Sequence, residues 1–398
     1  MKLRMEPILK ENRISTLDVV RGISLLGIVI VNMISFNAPV LYYNPYEWWK
    51  DSDAEVYKWV ELIFQSSFYP IFALMFGYGS VILRERIRNR GLSFTNIYVR
   101  RLLFLLVIGF IHAFFIWSGD ILVNYAIYGM LLMVLLELSG EVLLISGIML
   151  FLIPNLCFIL YILVNAIIDP NTTLMYADIA NVNKAFNAYS TGSYLEITTQ
   201  RITDWIAVNG SMNLFFSVFS ILPLMMVGAG ASKMKWLQNA NIHKKKWLVL
   251  FIATFVIGIF LKSLSLLIDS NLAFKLVQQT IGGTIFSFAI VSLIVLLMTN
   301  RIFEKLLKPI ATAGRMSLTI YLVQSIVGSL IFYHYGLGLY GGLTLLSCVL
   351  IGVFIYIIQV VLAEIWFMKF QYGPLEKVWR IVTYGKNKRG IPAKKQNT

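Results

Sequence analysis

The amino-acid sequence predicts an all-α, polytopic integral membrane protein of about ten transmembrane helices. Three observations carry that prediction. Hydrophobic residues make up 58% of the 398, charged residues only 14%, and the mean hydropathy is +0.74, far from the composition of a soluble globular chain. Apolar runs of about 20 residues, the length that crosses a bilayer core as a helix, recur along nearly the whole chain. The period-2 alternation of a membrane β-barrel is missing from them.

The first span, 17–36, is long and lacks a small-residue cleavage site, so it reads as a retained anchor and not as a signal peptide. Spans at 60–83, 102–118 and 121–138 follow. The turn at Ser139–Gly140 is so short that 121–138 and the next span, 142–168, form an antiparallel hairpin. Further spans lie at 214–231, 247–268, 277–298, 316–335 and 342–367, and the whole chain, 1–398, reads as one membrane domain. Cys157 and Cys348 both fall inside apolar runs, so there is neither a disulfide framework nor a cysteine metal motif.

The net charge of +14 is a topology signal, not a nucleic-acid signal. Of the 34 lysines and arginines, 27 lie in the tails 1–16 and 368–398 and in the connections 84–101, 232–246 and 299–315. The alternate connections 37–59, 169–213, 269–276 and 336–341 hold 5 in all. Under the positive-inside rule both tails are cytoplasmic, as an even number of spans requires. Two outer connections are long. In 37–59, Tyr43, Trp48 and Trp49 read as an interfacial aromatic belt, with a sugar-stacking surface as the sharper alternative. The stretch 169–213 reads as a lid or a solvated linker.

Three stretches put polar groups inside hydrocarbon. In LDVVRGISLLGIVIVN, Asp18 and Arg21 are three residues apart and share a helix face. Asn32, eleven residues beyond Arg21, returns to nearly the same face roughly 16 Å further on. Charged groups at such places normally face a bundle interior or a wet cavity; the plainer reading is a snorkelling pair at the headgroups. In RRLLFLLVIGFIHAFFIWSGDILVN, His112 is the only one of three histidines set well inside a span, since His243 belongs to the basic HKKK and His334 to an interface. It shares a face with Arg101, and as an ionisable group it is the usual base near neutral pH. A packed, hydrogen-bonded histidine is the alternative. Asp120 either orients a basic group or caps the following helix, the second being the safer reading, and Asn124 follows one turn on. In AGRMSLTIYLVQS, Arg315 ends a basic connection, and Gln324, about 180° round the helix from it, is the best site candidate. The serines and threonines there read as helix-to-helix glue. Downstream, GPLEKVWR reads as a short amphipathic segment docked on the membrane surface.

These stretches, with YAIYG and QYGPLEKVWR, resemble in order and over nearly the entire chain the signature blocks of the YeiB-like family of bacterial membrane proteins. That family is grouped with transmembrane acyltransferases, among them the acyltransferase-3 family and the lysosomal heparan-glucosaminide N-acetyltransferase. Their first span commonly reads L-D-x-x-R-[AG], matched here by Leu17, Asp18, Arg21 and Gly22. Where acyltransferase-3 proteins carry a histidine this chain has Asn32, and where the lysosomal enzyme carries its catalytic histidine it has Tyr43. Neither base is kept in kind, so His112 has to supply it or the activity is not acyl transfer.

The resemblance implies a place in the bacterial plasma membrane and transfer of an acyl group from acetyl-CoA or another acyl-CoA co-substrate to a glycan, amino sugar or other small acceptor, with membrane lipid around the protein and no metal. His112 is then the base, with Asp120 beside it and Asn32 and Gln324 as donors to the oxyanion. Asp18, Arg21, Arg101 and Arg315 face the donor's phosphates, and Asn124 and Tyr43 face the acceptor. A transporter or flippase fits a polar stripe across ten spans equally well, and a non-catalytic membrane scaffold is the third reading.

Overall fold

Each apolar run becomes a helix because a bilayer offers no water to exposed backbone N–H and C=O groups. The computed structural model describes residues 14–169, 171, 177–267 and 271–385, and among them it contains only helices and connections apart from a single bridge residue. In chain order these are α1 (Ser15–Asn37), α2 (Pro45–Trp48), α3 (Asp51–Ile63), α4 (Tyr69–Arg88), α5 (Phe94–Phe115), α6 (Leu122–Leu135), α7 (Gly140–Ile168), α8 (Ile179–Thr191) and α9 (Tyr194–Asn209). They continue as α10 (Ser211–Lys233), α11 (Lys244–Leu267), α12 (Leu272–Leu276), a π-helical turn (Val277–Gly282), α13 (Gly283–Met298), α14 (Arg301–Leu306), α15 (Lys308–Gly314), α16 (Ser317–Phe332), α17 (Leu345–Lys369) and α18 (Pro374–Tyr384). The outer parts of the basic tails, 1–13 and 386–398, lie outside the described residues, as do 170 and 172–176 of the long connection.

Among the described residues seven helices are long and apolar enough to cross a membrane, or eight if α15 and α16 form one bent span. The protein is therefore a polytopic helical membrane protein. All ten apolar segments of the sequence fall on helices, but not all as clean spans. At 60–83 the chain breaks between α3 and α4, and α4 ends in Arg84, Glu85, Arg86 and Arg88. Helix α6 has 14 residues, about 21 Å of helix, short of a bilayer core. Helices α15 and α16 meet at 81°.

Helix α1 runs through the middle of the bundle, whereas α7 and α11 turn most of their surface outward. Between lipid-facing helices there is little hydrophobic gain, so close approach comes from small residues. At the crossing of α4 and α10, a Cβ on Gly77 would lie 1.8 Å from the carbonyl oxygen of Met225, and one on Gly228 would lie 1.9 Å from that of Leu74. Only glycine fits either place.

From residue 177 on, the connection 169–213 is a folded cap and not a linker. Asp178 caps α8, and Ser193 with Glu196 forms a capping box on α9. Asp204 of α9 accepts hydrogen bonds from the hydroxyls of Tyr42 (2.6 Å) and Tyr189 (2.5 Å) and from Gln200 (2.7 Å). Burial pushes its carboxyl above the ordinary range, and those three donors oppose the shift. Arg201, fully buried, donates to the carbonyl oxygen of Phe115 at the end of α5 (3.0 Å) and to Tyr335 (2.6 Å). The cap thus grips the end of the helix that carries His112.

Candidate functional site

Helix α5 ends three residues past His112, and the chain turns back on itself: the Trp117 N–H bonds the His112 carbonyl oxygen at 2.8 Å. That turn returns Asp120 to the histidine. One carboxylate oxygen lies 2.8 Å from His112 Nδ1, and the other accepts the Val123 N–H, at the start of α6, at 2.8 Å. Asp120 therefore both caps and orients, the two roles the sequence left open. Both side chains are fully buried. In the neutral ring, an acceptor at Nδ1 holds the proton there and leaves the lone pair on Nε2. Nε2 is buried without a hydrogen-bond partner among the described residues. The Tyr321 ring packs 5.0 Å from the imidazole, and its hydroxyl donates to the Gly119 carbonyl oxygen at 3.2 Å.

Tyr321 and Gly119 form one wall of a cavity of about 160 Å³. Helix α1 contributes Gly27, Ile28, Val31 and Asn32; the broken connection between α3 and α4 contributes Phe64, Gln65, Ser66 and Phe68. His112 is not itself a lining residue: Tyr321 and the residues flanking Asp120 separate it from the space. Gln65 and Ser66 carried no sequence signal, because they lie inside a segment that reads as a continuous span.

The polar blocks of the sequence meet one another toward the end of the bundle that holds residues 15 and 385. A Cβ on Gly314 would lie 1.9 Å from the Asp18 carbonyl oxygen, and one on Gly22 would lie 2.3 Å from that of Ile310, so α1 and α15 touch backbone to backbone. The Tyr356 hydroxyl donates to the Gly22 carbonyl oxygen at 2.7 Å. Glu376 of α18 accepts from the N–H groups of Leu318 (2.9 Å) and Thr319 (3.1 Å) and from the Thr319 hydroxyl (2.6 Å), capping α16 from 57 residues away. Burial pushes the Glu376 carboxyl up, against those hydrogen bonds. Trp379 donates from Nε1 to the Arg101 carbonyl oxygen at 2.9 Å and receives the Arg101 guanidinium on its ring at 3.7 Å.

The remaining candidate residues are dispersed. Arg21 sits 3.8 Å from Asp18, which is buried. Arg315 lies over the Phe367 ring at 3.9 Å. Gln324 donates to Gln359 at 3.0 Å, away from the cavity. Asn124 donates to Asn209 at 2.8 Å. Tyr43 is stacked on Trp48 at 4.7 Å and packs among Ile30, Ile34 and Leu345. The structure therefore brings Asn32, Tyr321 and the His112–Asp120 pair to one place and leaves Gln324, Asn124 and Tyr43 outside it.

Residues 231–386 match the family described as protein of unknown function (DUF418). The chain is 33% identical over 397 residues, 96% of each chain, to "Uncharacterized protein YxaH" of Bacillus subtilis (strain 168). It is 26% identical to "Uncharacterized 39.9 kDa protein in amylase 3'region" of Bacillus acidopullulyticus, over 96% of this chain and 97% of that one. It is 28% identical to "Uncharacterized protein YeiB" of Escherichia coli (strain K12), over 92% of this chain and 95% of that one. Full-length similarity of this kind, together with the convergence of the polar blocks in space, establishes that the chain belongs to the YeiB-like, DUF418 family of membrane proteins.

Proposed function

We propose that this chain is an acyltransferase of the bacterial plasma membrane, with ten spans and both termini cytoplasmic. It takes an acyl group from a cytoplasmic acyl-CoA and passes it to an acceptor reached from the outer side. The observation that carries this reading is the buried His112–Asp120 pair, with Nε2 unbonded, next to a cavity that also holds the Asn32 amide. In this reaction the acceptor's O–H or N–H attacks the thioester carbonyl, the C–S bond breaks, and the proton passes through His112 to the leaving thiolate. Asp120 keeps the proton on Nδ1 and stabilises the imidazolium that forms, the role a carboxylate plays beside histidine in other acyl transfers. Asn32 donates to the oxyanion. Arg21, Arg101 and Arg315 meet the phosphates of the donor at the cytoplasmic mouth, where guanidinium forks suit them. For Nε2 to reach an acceptor in the cavity, the Tyr321 ring has to swing aside.

A transporter is the second reading, favoured by one observation: the break in the helical frame at 64–68 lines the cavity, and α16, which supplies Tyr321 to its wall, follows an 81° bend. Discontinuous helices beside a mid-bundle site are a transporter feature. Proteoliposomes loaded with radiolabelled acetyl-CoA and a mixture of hydroxyl and amine solutes separate the two. Release of free CoA with label on a solute supports acyl transfer. Solute movement with acetyl-CoA intact contradicts it.

A further inference from the structure

The cavity is lined by polar side chains for which the protein provides no partner. Asn32, Gln65 and Ser66 all border it, and none of their side chains makes a hydrogen bond among the described residues. Two amides and a hydroxyl offer donors and acceptors together, and all three residues are half-buried, so their polar atoms are open to whatever fills the cavity. A space of about 160 Å³ has room for at least about five waters, or for a small polyhydroxyl compound that replaces them.

Charge narrows the choice of ligand. No lining side chain is charged. Asp120, beside the wall, is engaged with His112 and the Val123 N–H. Behind the wall, the fully buried Lys262 of α11 donates from Nζ to the Gln65 carbonyl oxygen (2.6 Å) and to the Ser67 hydroxyl (3.0 Å). Its ammonium is thus one peptide group from the cavity and makes no ion pair among the described residues. Glu61 of α3, buried and bonded to the Tyr46 hydroxyl, is close enough to act on that ammonium but does not line the cavity, so a cation entering meets the positive charge with no acid in the walls. An anion is drawn toward the charge, yet the ammonium directs its hydrogens at the wall, so the anion loses water without gaining a paired donor. The wall is also held in an unusual shape. Ser66 has φ +59°, in the left-handed region, and such strain persists where surrounding structure enforces it, often at ligand sites.

We infer that this cavity, with no charged side chain in its lining, binds an uncharged polyhydroxyl compound in preference to a cation or an anion. Naming that compound the acyl acceptor rests on the acyl-transfer reading; the binding itself does not.

Three matched three-carbon probes test it: glycerol, its 2-amino analogue serinol, and glycerate. Binding is read by saturation-transfer NMR on the full chain in nanodiscs, prepared without glycerol and without any acyl donor. Glycerol binds, the two charged probes bind at least about tenfold more weakly, and Asn32→Leu removes glycerol binding. The isosteric Gln65→Glu places an acid in the lining without breaking an existing side-chain bond. It raises serinol affinity roughly tenfold or more, the worth of one charge-assisted hydrogen bond. Equal binding of the three probes, binding of none, glycerol binding that survives Asn32→Leu, or no serinol gain in Gln65→Glu overturns the inference. Glycerol binding without acetyl-CoA consumption would leave the inference standing and remove acyl transfer. Acetylation of serinol in preference to glycerol would do the reverse.

Discussion

Replacing Gly314 with alanine tests whether the first and third polar blocks meet as described. The added Cβ would lie 1.9 Å from the Asp18 carbonyl oxygen and 2.9 Å from the Gly22 nitrogen. Ordinary contact begins near 3.4 Å, so α15 must withdraw from α1 by about 1.5 Å. Neither atom can give way, because both belong to helical backbone. Overpacking of one methyl costs about 1–3 kcal/mol, and a rigid backbone neighbour puts this site at the upper end. Alanine also favours the helical state over glycine by about 1 kcal/mol, which leaves a net loss of about 2 kcal/mol. At roughly 2–4 °C per kcal/mol for a large chain, the thermal midpoint in detergent falls by about 4–8 °C. Gly342→Ala is the control: its Cβ would meet only the Leu339 carbonyl oxygen, at 3.6 Å, and the midpoint should stay within about 1–2 °C of wild type. A scanning-fluorimetry trace in which Gly314→Ala melts with the wild type would refute the close crossing of α1 and α15.

Two further outcomes follow from the same geometry. A cysteine placed at Asn187, exposed on α8, should react with an impermeant maleimide from outside the cell, and one at Asn241, exposed before α11, only from the cytoplasmic side; the reverse pattern rejects the charge-based topology. Burial raises the Glu376 carboxyl above its ordinary value of 4.5. The native state then holds the proton more tightly than the unfolded chain. The associated stability is present in full below pH 4.5 and is lost as pH rises through the raised value. Glu376→Gln should flatten that fall in midpoint with pH, and an unchanged slope means that another group titrates.

The sequence announced its helices because hydropathy is a local property, but among the described residues seven or eight of the ten apolar runs are long enough to span, and the run at 60–83 is broken at 64–68. It also marked His112 and Asp120, since an ionisable side chain inside hydrocarbon stands out against its neighbours. Their pairing was less legible: the SGD turn suggested a helix cap, and the second contact depends on how tightly α5 reverses. Gln65 and Ser66 were hidden because hydropathy averaged over 60–83 conceals a break of a few residues. The cap that Glu376 places on α16 could not be read either, because 57 residues and a helix reversal separate the partners. The same limit explains Gln324 and Tyr43. Helical periodicity assigns a face but not the helix opposite it, and these two found Gln359 and an aromatic stack instead of the cavity.

The central claim is that His112 moves the acceptor's proton, and the rate of acetyl transfer by His112→Gln in reconstituted membranes tests it most directly. Glutamine keeps a polar group in reach of Asp120 but accepts no proton near neutral pH. Loss of a general base should slow turnover by about two to four orders of magnitude, with the thermal midpoint near that of wild type. A His112→Gln protein that transfers acetyl groups at the wild-type rate would contradict the account.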